Sequence, residues 1–186
     1  MQKPKHPLLL LGASLFVAIL VMAGLLYVRE QKPDFGPLID YNPEIARLKA
    51  KTTKVVVIDR SVHIVRGNRI IGMKEDVSRL EGAREIERLF ATLDLVPVPK
   101  NMRMSCMCGG NPELVFYDGD TTITQMTVHH GQSIRWNEKC HSDVDLTKQA
   151  AERSLRMFAG LGVPAYIDQL KRKEEFASAG LREDSP

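Results

Sequence analysis

The residues best equipped for chemistry lie between Met102 and Gly110, where MRMSCMCGG gathers three methionines and the cysteines Cys106 and Cys108. His129-His130 and Cys140-His141 follow downstream. Thioether and thiolate sulfur are soft donors that select Cu(I), while Cys with His suits Zn²⁺ in a tetrahedral site. No cofactor is required by the sequence; on the alternative reading of a metal-binding protein the ligands are Cys106, Cys108 and His130, with Met102 or Met104 assisting, and the metal is copper or zinc. A thiol beside an imidazole is also the arrangement that makes cysteine a nucleophile, so a thiol-dependent enzyme is a further alternative. The spacing is not specific, because C-x-C lacks the geometry of the C-x₂-C zinc knuckle. Two plainer accounts stand beside these: a loop in which Cys and Met fill space as adaptable apolar groups, and a disulfide joining Cys140 to Cys106 or Cys108. With three cysteines in the chain, at least one thiol is left over in a monomer.

Elsewhere the sequence offers less. Ser61, Ser105 and Ser133 lack the base and orienting group of a serine nucleophile, and no paired carboxylates stand in a recognisable setting. Asp118-Gly119-Asp120 is what a tight hairpin turn wants, which displaces a cation-loop reading. Asp143 and Asp145 read as helix caps. A net charge of +3 is too small to raise a strong field over the surface, so nucleic acid is not an expected partner. With no catalytic constellation assembled, the first functional expectation is a binding or assembly module without catalysis, and its partner an envelope protein.

The elements that position the candidates are mainly strands. Glu113 to Asp118 meets Thr121 to His130 across Gly119-Asp120, and Ser133 to Trp136 follows. Pairing Asp118 with Thr121 places Gly109 opposite His130, Gly110 opposite His129, and Cys108 just beyond the histidines. Pairing His130 with Ser133 and continuing the strand carries Cys140 toward Ile123, roughly 23 Å from His130 at strand rise. In this register Leu114, Phe116, Ile123, Thr127, His129, Ile134 and Trp136 share the core face, which makes His129 a buried, hydrogen-bonded core residue. Glu113, Val115, Met126, Val128, His130 and Arg135 share the other face, with His130 exposed. A one-residue slip exchanges the two sets.

Around these strands, Asn42 as N-cap and Pro43 open a short helix to Lys51. Lys54 to Asp59 reads as a strand, and Val62 to Val65 with Arg69 to Met73 as a hairpin about Arg66-Gly67-Asn68. Ile86, Leu89, Phe90 and Leu93 give helical spacing from Ala83 to Leu95, stopped by Val96-Pro97-Val98-Pro99. Ser142 with Asp145 resembles a capping box opening a helix to Ala159, and a last helix runs from Pro164 to Phe176. The fold class expected is α+β: an antiparallel sheet packed by helices.

Ahead of that domain lies an uncharged apolar run, Pro7 to Val28, long enough to cross a hydrocarbon core of about 30 Å. It predicts a single transmembrane helix after a short flank, 1–6, with 29–42 as linker, 43–178 as the compact domain and 179–186 as a frayed tail. Lys3 and Lys5 before the run favour a cytoplasmic N-terminus, and hence an extracytoplasmic domain that is periplasmic in a Gram-negative cell. The alternative is a cleaved signal peptide ending at Val21-Met22-Ala23; the apolar residues continuing through Val28 argue for retention.

The segment from Cys106 to Trp136 resembles a pattern found in uncharacterised bacterial proteins, C-x-C-x-G, an aromatic strand, then H-H-x-x-S-[IL]-R-W. That resemblance implies one structural unit and a bacterial envelope location, and it brings no activity.

Overall fold

The computed structural model describes residue 22 and residues 36–66, 69–101, 107–140 and 142–179, with the side chains of 62–66 and 69–74 outside that set. The expected anchor, 7–28, lies outside the described residues apart from Met22. Among the described residues no helix is long and apolar enough to cross a membrane. The chain divides between Gly36 and Pro37, and the following unit is an α+β domain.

Its elements run β1 (Leu38–Ile39), α1 (Asn42–Lys51), β2 (Lys54–Arg66), β3 (Arg69–Leu80), α2 (Ala83–Phe90), β4 (Val98–Pro99), β5 (Glu113–Asp118), β6 (Thr121–His129), β7 (Ser133–Arg135), β8 (Val144–Asp145), α3 (Lys148–Gly160) and α4 (Pro164–Ser178). Six strands form one sheet in the order β3-β2-β5-β6-β7-β8, while β1 and β4 make a separate ribbon. Every pairing is antiparallel. Directly facing residues share a side of the sheet. Val55 faces Phe116 and Val57 faces Leu114, which in turn faces Met126; Val128 faces Ile134, which faces Val144. These residues form one buried cluster with Ile45 and Leu48 of α1, Leu89 and Phe90 of α2, Phe158 of α3 and Tyr166 of α4. The helices therefore cover that side, and burial of this apolar surface is the main force holding them there.

The register of β5 and β6 departs from the sequence reading in one place. Asp118 faces Thr121 as expected, but a bulge between Phe116 and Tyr117 brings Phe116 opposite Thr124 and Leu114 opposite Met126. One extra residue on β6 exchanges the faces of everything beyond it. Met126 and Val128 turn into the core, and Thr127 and His129 turn to the opposite face. The next hairpin is shifted too, since Ser133 faces His129 and not His130. His129 is therefore not on the core face beside Trp136.

Other boundaries also moved. Asn42 does not cap α1, whose N-cap is Tyr41; its amide instead donates to Leu95 O and accepts from Leu95 N, both at 2.9 Å. Helix α2 stops at Phe90, and Thr92 Oγ1 donates to Leu89 O at 2.7 Å. Leu95 then bridges to Leu146. The stretch read as linker ends inside the domain, where Leu38 and Ile39 pair with Pro99 and Val98. Ser142 opens no helix: Val144–Asp145 forms a strand against β7, and α3 starts after Thr147, whose hydroxyl caps Ala150 N.

Candidate functional site

At the end of β6, where Thr127 and His129 lie on the face opposite the core, the strand meets the segment that leads into β5. Asn111 N donates to Val128 O at 2.7 Å and Val128 N to Pro112 O at 2.9 Å, extending the β5–β6 ladder past Glu113. This places Gly110 directly over His129 and Thr127. A Cβ on Gly110 would lie 2.5 Å from His129 Nε2 and 2.7 Å from Thr127 Cβ, and its φ is +69°. Only glycine meets both demands.

The turn after β6 aims the second histidine. Gln132 N donates to His129 O at 3.0 Å, and the two central residues, His130 (φ 52°) and Gly131 (φ 69°), are left-handed, as a type I′ turn requires. Glycine adopts that region freely, whereas for histidine it is uncommon. The result is that both imidazoles reach one sulfur. Cys108 Sγ lies 3.1 Å from His129 Nδ1 and 3.4 Å from His130 Nε2. Cys108 is disulfide-bonded, so its sulfur has no hydrogen to give and the ring N–H groups donate to it. His129 in its neutral form then carries its proton on Nδ1, and Nε2 accepts from Thr127 Oγ1 at 2.9 Å.

Charged and polar groups pin the cysteine segment from several sides. Arg60 Nη1 donates to Gly109 O at 3.0 Å, and Arg135 Nη1 to Cys108 O at 3.4 Å. Asp143 holds Arg135 through two bonds, Nε to Oδ1 at 2.7 Å and Nη2 to Oδ2 at 3.1 Å. Asn111 donates to Asp59 Oδ1 at 2.8 Å, accepts from Arg60 N at 3.0 Å, and offers its carbonyl to Tyr166 Oη at 3.1 Å. Such bracing fixes a reactive group to the precision that chemistry needs. Beside it, a pocket of about 520 Å³ opens between Cys108, His130 and Asn111 on one side and Tyr166, Gln169 and Arg172 of α4 on the other.

Burial sets the protonation of this centre. His129 is fully buried, and desolvation lowers its pKa below 6.5; Asp143 opposes that, while Arg135, His130 and Arg60 add to it. Burial would raise the Asp59 carboxyl, but the hydrogen bonds from Ser61 N, Ser61 Oγ and Asn111 draw it below 3.8. Between the folded pKa of His129 and its unfolded value, the unfolded chain binds more protons, so stability rises with pH there. The unfolding midpoint is expected to fall as pH drops below about 6.5, with a further loss below about 4 as Asp59 protonates. Thermal melts across that range check it, and a flat profile between neutral pH and pH ~5 would remove His129 from the account.

Cys140 takes no part in the centre. The chain turns back after Trp136, with Cys140 N donating to Trp136 O at 2.8 Å. Cys140 is a free, buried thiol in the hydrophobic core, so no disulfide joins it to Cys108. Desolvation pushes its pKa up from 9.0 to about 11, against a hydrogen bond with Tyr41. Its alkylation in the folded protein is expected to run at least about a hundredfold slower than after unfolding, since the thiolate is the reactive form. Timed iodoacetamide labelling followed by intact mass measures the ratio.

Of the residues picked out as metal ligands, Cys108 and His130 come together, while Cys106, like Met102 and Met104, lies outside the described residues. Among the described residues no group of three or more His, Cys, Asp and Glu is arranged to hold a metal ion. As a disulfide sulfur, Cys108 has no thiolate to offer one. Sequence reasoning missed His129 as a partner of Cys108, Asp143 as the anchor of Arg135 in place of a helix cap, and Arg60 and Arg172 beside the pocket. The His-His-Gly run at a hairpin turn was the available signal for the first. The two arginines carry no local signature. Compared with known protein families, curated proteins and solved structures, the chain matches none.

Proposed function

We propose that the domain is a thiol–disulfide redox module of the bacterial envelope, with Cys106 and Cys108 as its redox pair and His130 handling the proton. The observation that carries this reading is a disulfide-bonded Cys108 sulfur within hydrogen-bond reach of two imidazoles, 3.1 and 3.4 Å away, at the edge of an open pocket. A partner thiolate attacks the Cys106 sulfur, a mixed disulfide forms, and the bond to Cys108 breaks with its electron pair leaving on Cys108. The N–H groups of His129 and His130 face the charge that develops there, and a stabilised leaving thiolate departs faster. A second partner thiolate then attacks the partner sulfur of the mixed disulfide and releases Cys106. Two thiols have lost two electrons and two protons, and the pair has gained both. Exposed His130 delivers the proton to Cys108. Run in reverse, the cycle reduces a partner disulfide.

We set this reading ahead of a binding or assembly module without catalysis, because an oriented sulfur with two imidazoles is more than a passive loop requires. Residues 7–28 would tether the domain to the bilayer from a cytoplasmic N-terminus, on the side where disulfides persist. The test is a redox titration of the full chain in glutathione mixtures, quenched by alkylation and read by mass. One reversible two-electron transition involving Cys106 and Cys108, with Cys140 untouched, is expected. A pair that stays reduced in oxidising mixtures, or a bridge to Cys140, would sink the proposal.

One observation favours a second reading for the reduced protein. The 3.4 Å between Cys108 Sγ and His130 Nε2 is a separation that two ligands of a single metal can share, so Cys106, Cys108 and His130 would hold copper or zinc once the disulfide is opened. About one equivalent of metal that shields both thiols from alkylation would favour it; less than about a tenth of an equivalent removes it.

A further inference from the structure

The pocket beside Cys108, at about 520 Å³, has the volume of small-ligand sites. Its lining carries two cations, Arg60 and Arg172, and no aspartate or glutamate among the described residues. The charge of Arg60 is partly met by Glu113, whose carboxylate lies 3.6 Å from Nε. Arg172 is exposed on α4 and its Nε donates to the backbone carbonyl of Asp168 at 3.3 Å. A neighbouring hollow of about 400 Å³ shares Gln169 and Arg172 and adds Lys148 and Lys173 against the single acid Glu152. A concave site with this excess of cations draws in carboxylates, and a guanidinium matches a carboxylate with two parallel hydrogen bonds.

We propose that the pocket admits a small thiol of peptide size bearing carboxylates, held through Arg172 and Arg60 with its sulfur on the side of Cys108. The immediate redox partner is then a low-molecular-weight thiol and not a folded protein. This rests on the redox reading above. Two such thiols reduce the Cys106–Cys108 bond and leave as their own disulfide, so electrons and protons balance without a further reactant.

The experiment follows reduction of the oxidised full chain by two probes, glutathione, which carries two carboxylates, and uncharged 2-mercaptoethanol. New thiols at Cys106 and Cys108 are counted by alkylation and mass. With glutathione the rate is expected to saturate, and Arg172→Glu to lower kcat/KM about tenfold, mainly through KM. Arg172→Lys, which keeps the charge and loses the bidentate fork, is expected to fall between wild type and Arg172→Glu, and with 2-mercaptoethanol all three proteins to agree within about twofold. Equal losses with both probes, or no loss with glutathione, overturn the pocket proposal while leaving the redox reading in place. An oxidised protein that neither thiol reduces overturns both.

Discussion

The Cys108→Ser protein is expected to show no multiple-turnover thiol–disulfide exchange, with a rate below about one-thousandth of wild type. Serine keeps the size of the side chain and removes the sulfur that the two imidazoles address. Cys106 would still be trapped as a mixed disulfide with a small thiol, but no second sulfur would resolve it. His130→Asn should act differently, because asparagine tolerates a left-handed backbone and the cysteine pair survives. It removes the proton carrier and one of the two imidazole N–H groups facing Cys108, so the rate is expected to fall about a hundredfold, with the redox equilibrium changed far less than the rate. Cys140→Ala should keep exchange activity, since Cys140 lies buried in the core beside Tyr41. Stopped-flow exchange with a chromogenic disulfide checks all three. Turnover surviving in Cys108→Ser would end the redox reading.

Gly110→Ala is expected to destabilise the domain by about 3 kcal/mol and to slow exchange as well. Two costs combine. A non-glycine residue at φ +69° costs roughly 1–2 kcal/mol, and a Cβ placed 2.5 Å from His129 Nε2 forces neighbours apart at about 1–3 kcal/mol. His129 is fully buried and Thr127 stands on the same strand, so neither yields as the tip of a long exposed side chain would. The cysteine segment must lift instead, and Cys108 would leave His129. Gly109→Ala is the control, because nothing lies within 4 Å of its added Cβ. Urea unfolding of the two variants measures the difference, and equal midpoints would contradict the close approach of Gly110 to the histidine.

Much of the domain was legible from local patterns. The strands Glu113–Asp118 and Thr121–His129 and the helices at Asn42–Lys51 and Pro164–Ser178 follow from alternation, turn residues and proline placement, all of which act over a few neighbouring residues. The α+β class and the all-antiparallel sheet follow from those elements. The errors share one cause. The bulge near Phe116 and Tyr117 has no local sign in the residues, yet it decides which face every later residue of β6 occupies. Asp143 looked like a cap because Ser-Asp-Val-Asp is a good cap locally; pairing of Val144–Asp145 with β7 won, and the carboxylate went to Arg135.

Sequence by itself supplied the candidates: Cys106, Cys108 and His130 were singled out by type, while His129 was read into the core, and the glycines at 110 and 131 are the residues the tight backbone of the site needs. Tertiary structure alone decided the assembly. It set His129 on the sheet face opposite the core, brought both imidazoles to one sulfur, sent Cys140 into the core away from that sulfur, and placed Arg60 and Arg172 beside it. The physical reason is that side-chain identity is a local property, whereas register, bulges and the return of the chain after Trp136 are chosen by burial summed over the whole sheet.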